Sequence, residues 1–222
     1  MSLTNCDSRT YPLNDVDTRA SSIDYTFKQI KKYIRIICKG LKNTTTISSL
    51  KWNNEQITKE VKDELGDAIL NNHLLLKLHF NQVQFSDDHN KYFFYEIYIL
   101  LNKKNLKLKE IYLQGIKRNV FHVPRYDCLG YIGHALRNNN WLLTLRLERC
   151  NIDNEILDYL VPKLCDNTKL CYLSLKDNNI SSADIIADNL HLLSIECLDL
   201  SDNKIERGIA RLVRNMIHYK KL

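Results

Sequence analysis

The residues of this 222-residue chain best suited to bind metal or attack a substrate are seven histidines and seven cysteines. Their spacing supports neither chemistry. His73, His79, His89, His122, His134, His191 and His218 fall in no H-E-x-x-H or H-x-E pattern, and Cys128 and His134 stand together without further ligands. Cys6, Cys38, Cys128, Cys150, Cys165, Cys171 and Cys197 form no C-x-x-C pair, and an odd count argues against a closed disulfide framework. They read as reduced, mostly buried thiols. Gly130-x-x-Gly133 is too short to cradle a phosphate, and there is no G-x-S-x-G elbow. The expectation is a protein with no catalytic residue, no metal and no cofactor, and not an enzyme.

Polar and aromatic side chains placed at regular intervals are the better candidates for binding, and the regularity comes from a repeat. Ile195-x-x-Leu198-x-Leu200-x-x-Asn203-x-Ile205 and Leu170-x-x-Leu173-x-Leu175-x-x-Asn178-x-Ile180 share one template, and Leu142-x-x-Leu145-x-Leu147-x-x-Cys150-x-Ile152 differs from it only at the ninth position. Upstream the template decays. Leu108, Ile111 and Leu113 fit but are followed by Ile116 and Arg118, Leu75, Leu78 and Phe80 continue to Val83 and Phe85, and Ile47, Leu50 and Trp52 continue to Ile57. Units thus start at 47, 75, 108, 142, 170 and 195.

These segments resemble leucine-rich repeats of the longer ribonuclease-inhibitor type, with Asn or Cys at position nine and a helix after each strand. The resemblance implies an α/β solenoid, a horseshoe with its parallel sheet on the concave face and helices on the convex face. It also implies that Asn178 and Asn203 bind loop backbone in a ladder, which Val83 and Ile116 cannot do, so the N-terminal loops are expected to be less regular. Independently of the resemblance, positions four and six must share one side of a strand. Ile156, Leu157, Leu160 and Leu164 recur at helical spacing, as do Ile186, Leu190 and Leu193.

Two flanking segments complete the organisation. Ile23, Phe27, Ile30, Ile34, Ile37 and Leu41 predict an amphipathic helix with Ser21 or Ser22 as N-cap and cations on its other face, so residues 1–46 read as an N-terminal extension with a capping helix. Residues 47–222 read as six repeats ending in a helix with Ile209, Leu212, Val213, Met216 and Ile217 on its apolar side. That helix is either the final cap or a point from which further repeats continue. The aromatic run Tyr92, Phe93, Phe94, Tyr95 and Tyr98 is expected to pack in the core.

In a parallel stack, positions three, five and seven face away from the core as columns. They bring Lys51, His79, Tyr112, Arg146 and Asp199 into one file, Lys77, Glu110 and Tyr172 into a second, and Glu148 and Lys176 into a third. These are the candidate partner-binding residues, because Tyr and Arg are the commonest interface anchors. Lys77 with Glu110, and Glu148 with Lys176, are expected to neutralise each other. A second candidate is the extra length at 115–126, where Lys117, Arg118, Phe121, His122 and Arg125 form a basic and aromatic loop that is equally well read as a tolerated insertion.

The net charge of +6 divides into +7 over residues 25–51, +5 over 207–222, −2 over 1–24 and −4 over the array between. A mildly acidic array argues against a nucleic-acid partner. The expected function is a monomeric scaffold that binds a protein partner on the concave face, in a cytoplasm-like compartment. A host protein is the partner if the short, irregular repeats mark a host-directed effector. The alternatives are a membrane-surface or nucleic-acid anchor through the basic N-terminal helix, and a regulator of a GTPase or other enzyme. No apolar secretory segment opens the chain, and no stretch reaches 18 uninterrupted apolar residues.

Overall fold

Alternation along each repeat converts directly into a buried and an outward row. Leu50, Trp52, Leu78, Phe80, Ile111, Leu113, Leu145, Leu147, Leu173, Leu175, Leu198 and Leu200 occupy positions four and six, and none is more than 4% exposed. A computed structural model describes residues 2–3, 21–25, 36–43, 47–53, 56–57, 59–85, 90–103, 107–116 and 128–220. Its strands are β1 (Ser2–Leu3), β2 (Ser21–Tyr25), β3 (Ile47–Asn53), β4 (Gln56–Ile57), β5 (Lys77–Asn81), β6 (Gln84–Phe85), β7 (Glu110–Gln114), β8 (Thr144–Glu148), β9 (Tyr172–Ser174) and β10 (Cys197–Asp199). The helices are α1 (36–43), α2 (Lys59–Asn71), α3 (Asn90–Asn102), α4 (Cys128–Arg137), α5 (Asn154–Leu164), α6 (Asp184–Asn189) and α7 (Ile209–Lys220).

The main sheet runs β1-β10-β9-β8-β7-β5-β3-β2, all parallel except β1, which pairs antiparallel with β10. In each unit from β3 on, a helix follows the strand and its apolar side joins the same core, as Leu65, Leu100, Leu136, Leu160 and Ile186 do. Such parallel strand-and-helix units, stacked in sequence order, make a leucine-rich-repeat-like fold.

Position eight is the corner of each unit. Gln82, Gly115, Arg149, Asp177 and Asp202 all take a left-handed backbone, with φ between 51° and 62°. Only glycine does this without strain, at a cost of about 1 kcal/mol or more for the others. What offsets the cost is a backbone ladder one step beyond the strands, in which Gln82 N–H donates to the Gln114 carbonyl, Gly115 to Glu148, Arg149 to Lys176 and Asp177 to Ser201, at 2.6–3.1 Å.

The asparagine ladder expected at position nine is present. Asn178 donates to the carbonyls of Leu147 (2.7 Å) and Leu175 (2.8 Å) and accepts from Cys150 N (2.9 Å) and Ile152 N (3.0 Å). Asn203 donates to Leu175 and Leu200 and accepts from Ile180 N. Cys150 substitutes as a donor only, its Sγ lying 3.2 Å from the Glu148 carbonyl. At Val83, where position nine is apolar and a less regular loop was expected, the backbone pairs instead: Val83 is fully buried and β4 pairs with β6 through Gln56 with Gln84 and Ile57 with Phe85, while the loop after Ile116 lies outside the described residues.

A second asparagine column lies three residues before position one. Asn72, Asn139 and Asn167 are buried; each donates across the stack, to Leu41, Leu101 and Leu136 carbonyls respectively, and each accepts from the backbone N–H groups that lead into its own strand. These side chains give the Leu41, Leu101 and Leu136 carbonyls a donor from the next unit.

Three expectations need correction. Residues 21–25 do not begin a helix: Ser21–Tyr25 is a strand paired parallel with β3, with a register shift between Ser21 and Ser22; residues 26–35 lie outside the described residues, and 36–43 are helical, with Ile37 and Leu41 buried. A strand edge at β3 offers backbone hydrogen bonds that the apolar periodicity of 23–41 does not register. Tyr95 is not core; it is 45% exposed and stacks on Tyr98, with Tyr131 edge-on to both. In α7, Leu212 and Met216 are buried but Ile217 is 63% exposed, and Arg211 joins the helix to Asp184 and Asp188 of α6.

Removing Asn178 strips partners from two carbonyls and two N–H groups at once, so Asn178→Ala is expected to cost about 3 kcal/mol or more, read as a lower urea midpoint. Burial pushes the neighbouring Cys150 thiol up to about 12. It should therefore resist disulfide-exchange reagents in the native protein and become reactive in Asn178→Ala, as followed by mass spectrometry of the labelled peptide.

Candidate functional site

Register decides which outward residues meet. Lys51, His79, Tyr112, Arg146 and Ser174 are successive partners across β3, β5, β7, β8 and β9, and Asp199 follows on β10. Ser49, Lys77, Glu110, Thr144, Tyr172 and Cys197 form the adjoining file. The described helices pack on the other side of the sheet, so these files lie on the face away from them.

The centre of that face is built around Arg146. Its guanidinium carbon lies 4.8 Å from the Tyr172 ring centroid and 5.7 Å from that of Tyr112, so a ring on each neighbouring strand contacts the cation. Glu148 is 7% exposed and holds the arrangement from below: Tyr112 OH donates to Oε2 at 2.9 Å and Ser174 Oγ donates to Oε1 at 2.9 Å. Arg146 Nη1 is 3.8 Å from Glu148 Oε1, an ion pair too long to be a hydrogen bond. Burial, then the hydrogen bond to Glu148, pushes the Tyr112 phenol well above the usual tyrosine range, so this hydroxyl is a donor at any physiological pH.

Beside it lies a second cluster. His79 Nε2 sits 3.2 Å from Glu110 Oε1 and Lys77 Nζ 3.5 Å from Glu110 Oε2, while the His79 ring is edge-on to Tyr112 at 5.6 Å. Burial opposes ionisation of Glu110, but His79, Lys77 and Arg146 outweigh it and hold the carboxyl below its ordinary range.

The structure therefore brings His79, Glu110, Tyr112, Arg146, Glu148 and Tyr172 together, with Lys77 at their edge. Lys51 is in register with His79 but makes no ion pair among the described residues. The expected Glu148–Lys176 pair does not form, because Lys176 turns to Asp202 at 3.3 Å while Glu148 is already saturated by hydroxyls. Asp199 folds back on its own strand, accepting from Ser201 N at 2.9 Å and Ser201 Oγ at 2.6 Å. Ser174 is fully buried, and Cys197 is 2% exposed. Asp202 lies outside the columns, whereas Ser174 falls in the position-five file without being named as a binding residue, and its part is to hold Glu148, one strand over. Lys117, Arg118, Phe121, His122 and Arg125 lie outside the described residues.

Among the described residues no trio of His, Cys, Asp and Glu comes together, and no helix is long and apolar enough to cross a membrane. What the arrangement can do chemically is present aromatic faces and a fixed cation to a ligand.

Two consequences of this geometry are measurable. Tyr112→Phe leaves Glu148 Oε2 buried without its donor and should lower unfolding free energy by about 1–3 kcal/mol in urea titrations, whereas Tyr172→Phe should be near neutral. The depressed folded value of Glu110 means that its contribution is complete above the unfolded carboxylate range and is lost as pH falls through the lower folded value. Thermal melts of the protein and of Glu110→Gln should therefore differ at pH 7 and begin to converge only as pH falls below about 4, the unfolded range.

No family model matches this chain, and no curated protein does. Among solved structures, the chain is similar to one titled Leiomodin-1 Actin-Binding Site 2 (ABS2), at 14% identity over 94% of this chain and 86% of that one, with a TM-score of 0.36. A likeness at that score carries no argument about activity or partner.

Proposed function

We propose that this chain is a non-catalytic binding module of the ribonuclease-inhibitor type, curved as a horseshoe, whose uncovered sheet face is concave and grips a protein partner. One observation carries the reading: Arg146 lies between Tyr112 and Tyr172 on a face that none of the described helices covers. Tyrosine and arginine are the side chains that most often dominate interface energies, and they do so when held rigid near the centre of a contact. Solenoids expose their strand columns over a long surface, so one partner can engage several units at once. On this reading β2 and α1 close the first end of the stack, and the chain works in a reducing, cytoplasm-like compartment; a host-directed effector would take its partner from the host.

Tyr112→Ala is a poor probe, since it would also release buried Glu148. Tyr172→Ala and Arg146→Gln are better. In capture from a eukaryotic lysate with quantitative mass spectrometry, each is expected to reduce the specifically retained protein by about tenfold or more. Melting temperatures should stay within about 3 °C of the unaltered chain. Retention of every captured protein by both variants would sink the reading.

A further inference from the structure

The outward columns are unequal in how their charges are used. Glu110 is paired with Lys77 and lies against His79, Glu148 accepts two hydroxyl donors, Asp199 is bound by Ser201, and Lys176 meets Asp202. Lys51, at the end of its file, also makes no ion pair among the described residues, but Arg146 is the cation at the centre of the face, between two rings. Among the described residues none of its donors makes a hydrogen bond: Nε is sealed from solvent without a partner, and Nη1 reaches only the 3.8 Å contact with Glu148. The two Nη atoms are not sealed, and 37% of the side chain is exposed. Two tyrosine rings already hold this cation, at 4.8 and 5.7 Å from their centroids, so less side-chain entropy remains to be lost when an acceptor arrives.

We infer that Arg146 is the seat for a single carboxylate of the partner, an aspartate or glutamate side chain, received by the two Nη atoms. The inference rests on the reading of this face as the partner surface. A planar fork matches a planar carboxylate in bidentate fashion. Charge sets the valence. Glu148 stands 3.8 Å from the guanidinium, and Glu110 is close enough for Arg146 to favour its ionised form. A doubly charged phosphoryl group would meet both carboxylates with only one guanidinium in compensation, whereas a single carboxylate brings one charge to a cation whose donors make no hydrogen bond among the described residues. Tyr112 and Tyr172 beside the seat would cover the aliphatic part of the incoming side chain.

The test uses the full chain and four pools of capped heptapeptides with randomised flanks and a fixed central residue: Asp or Glu, Asn or Gln, phosphoserine, and Lys or Arg. Fluorescence anisotropy measures affinity, and the Arg146 Nε–H resonance reports engagement of the seat. The Asp/Glu pool is expected to bind about tenfold tighter than the Asn/Gln pool and to shift that resonance. Arg146→Gln should erase the difference, Arg146→Lys should keep part of it, and Arg146→Glu should transfer the preference to the Lys/Arg pool. Should Arg146→Glu fail to fold beside Glu148, the Gln and Lys variants decide alone. Equal affinity for the Asp/Glu and Asn/Gln pools, tightest binding by the phosphoserine pool, or a preference that survives in Arg146→Gln would each overturn the inference. Loss of lysate capture in Tyr172→Ala without any Asp/Glu preference would remove the carboxylate seat and leave the binding face standing.

Discussion

In-register pairing of parallel strands is the constraint on which this structure depends. A slip of one residue at any strand would turn its position-four and position-six side chains outward and bring charged side chains into the core. From β3 to β9 the partners advance without a shift, from Leu50 to Leu78, Ile111, Leu145 and Leu173. The same register that stacks these apolar residues also stacks His79, Tyr112 and Arg146 on the other face. Core and site are therefore two sides of one alignment, and the site cannot be assembled unless the core is.

Register would be fragile if strands alone had to hold it, since β9 and β10 are three residues each. The asparagines make up the difference. Asn178 and Asn203 bind the carbonyls of the previous unit at the exit from the strand, and Asn72, Asn139 and Asn167 do so at the entrance. Each thus pins one unit to its neighbour at a fixed offset. A buried polar side chain that satisfies backbone on two units is specific where a leucine would only be cohesive.

Much of this was legible in the amino-acid order. The L-x-x-L-x-L-x-x-N spacing places the strands, and the outward files follow from the alternation of side chains. Less legible were the interactions inside the site. Glu148 was expected to neutralise Lys176, yet a carboxylate that is 7% exposed is held by the nearest hydroxyl donors, Tyr112 and Ser174, and the exposed lysine finds Asp202 on the next turn. Column reading knows which residues are neighbours but not how deep each one sits, and depth decides whether an anion is paired by a cation or by buried donors. The apolar seam from Ile23 to Leu41 misled for a related reason: a period of three and four describes a helix well, but a free strand edge at β3 offers Ser21–Tyr25 hydrogen bonds that periodicity does not register.

The sequence by itself determined the repeat, the alternation that separates core from surface, and the six starts from which the outward files are read, because these depend only on spacing along the chain. Tertiary structure decided which charges on those files are spent. Glu110, Glu148, Asp199 and Lys176 are committed to neighbours within or between units, while Arg146, with a ring on either side, has no hydrogen-bonding partner among the described residues. That outcome depends on distances of 3–6 Å between side chains of adjacent strands, set by packing depth and rotamer, which no one-dimensional pattern contains.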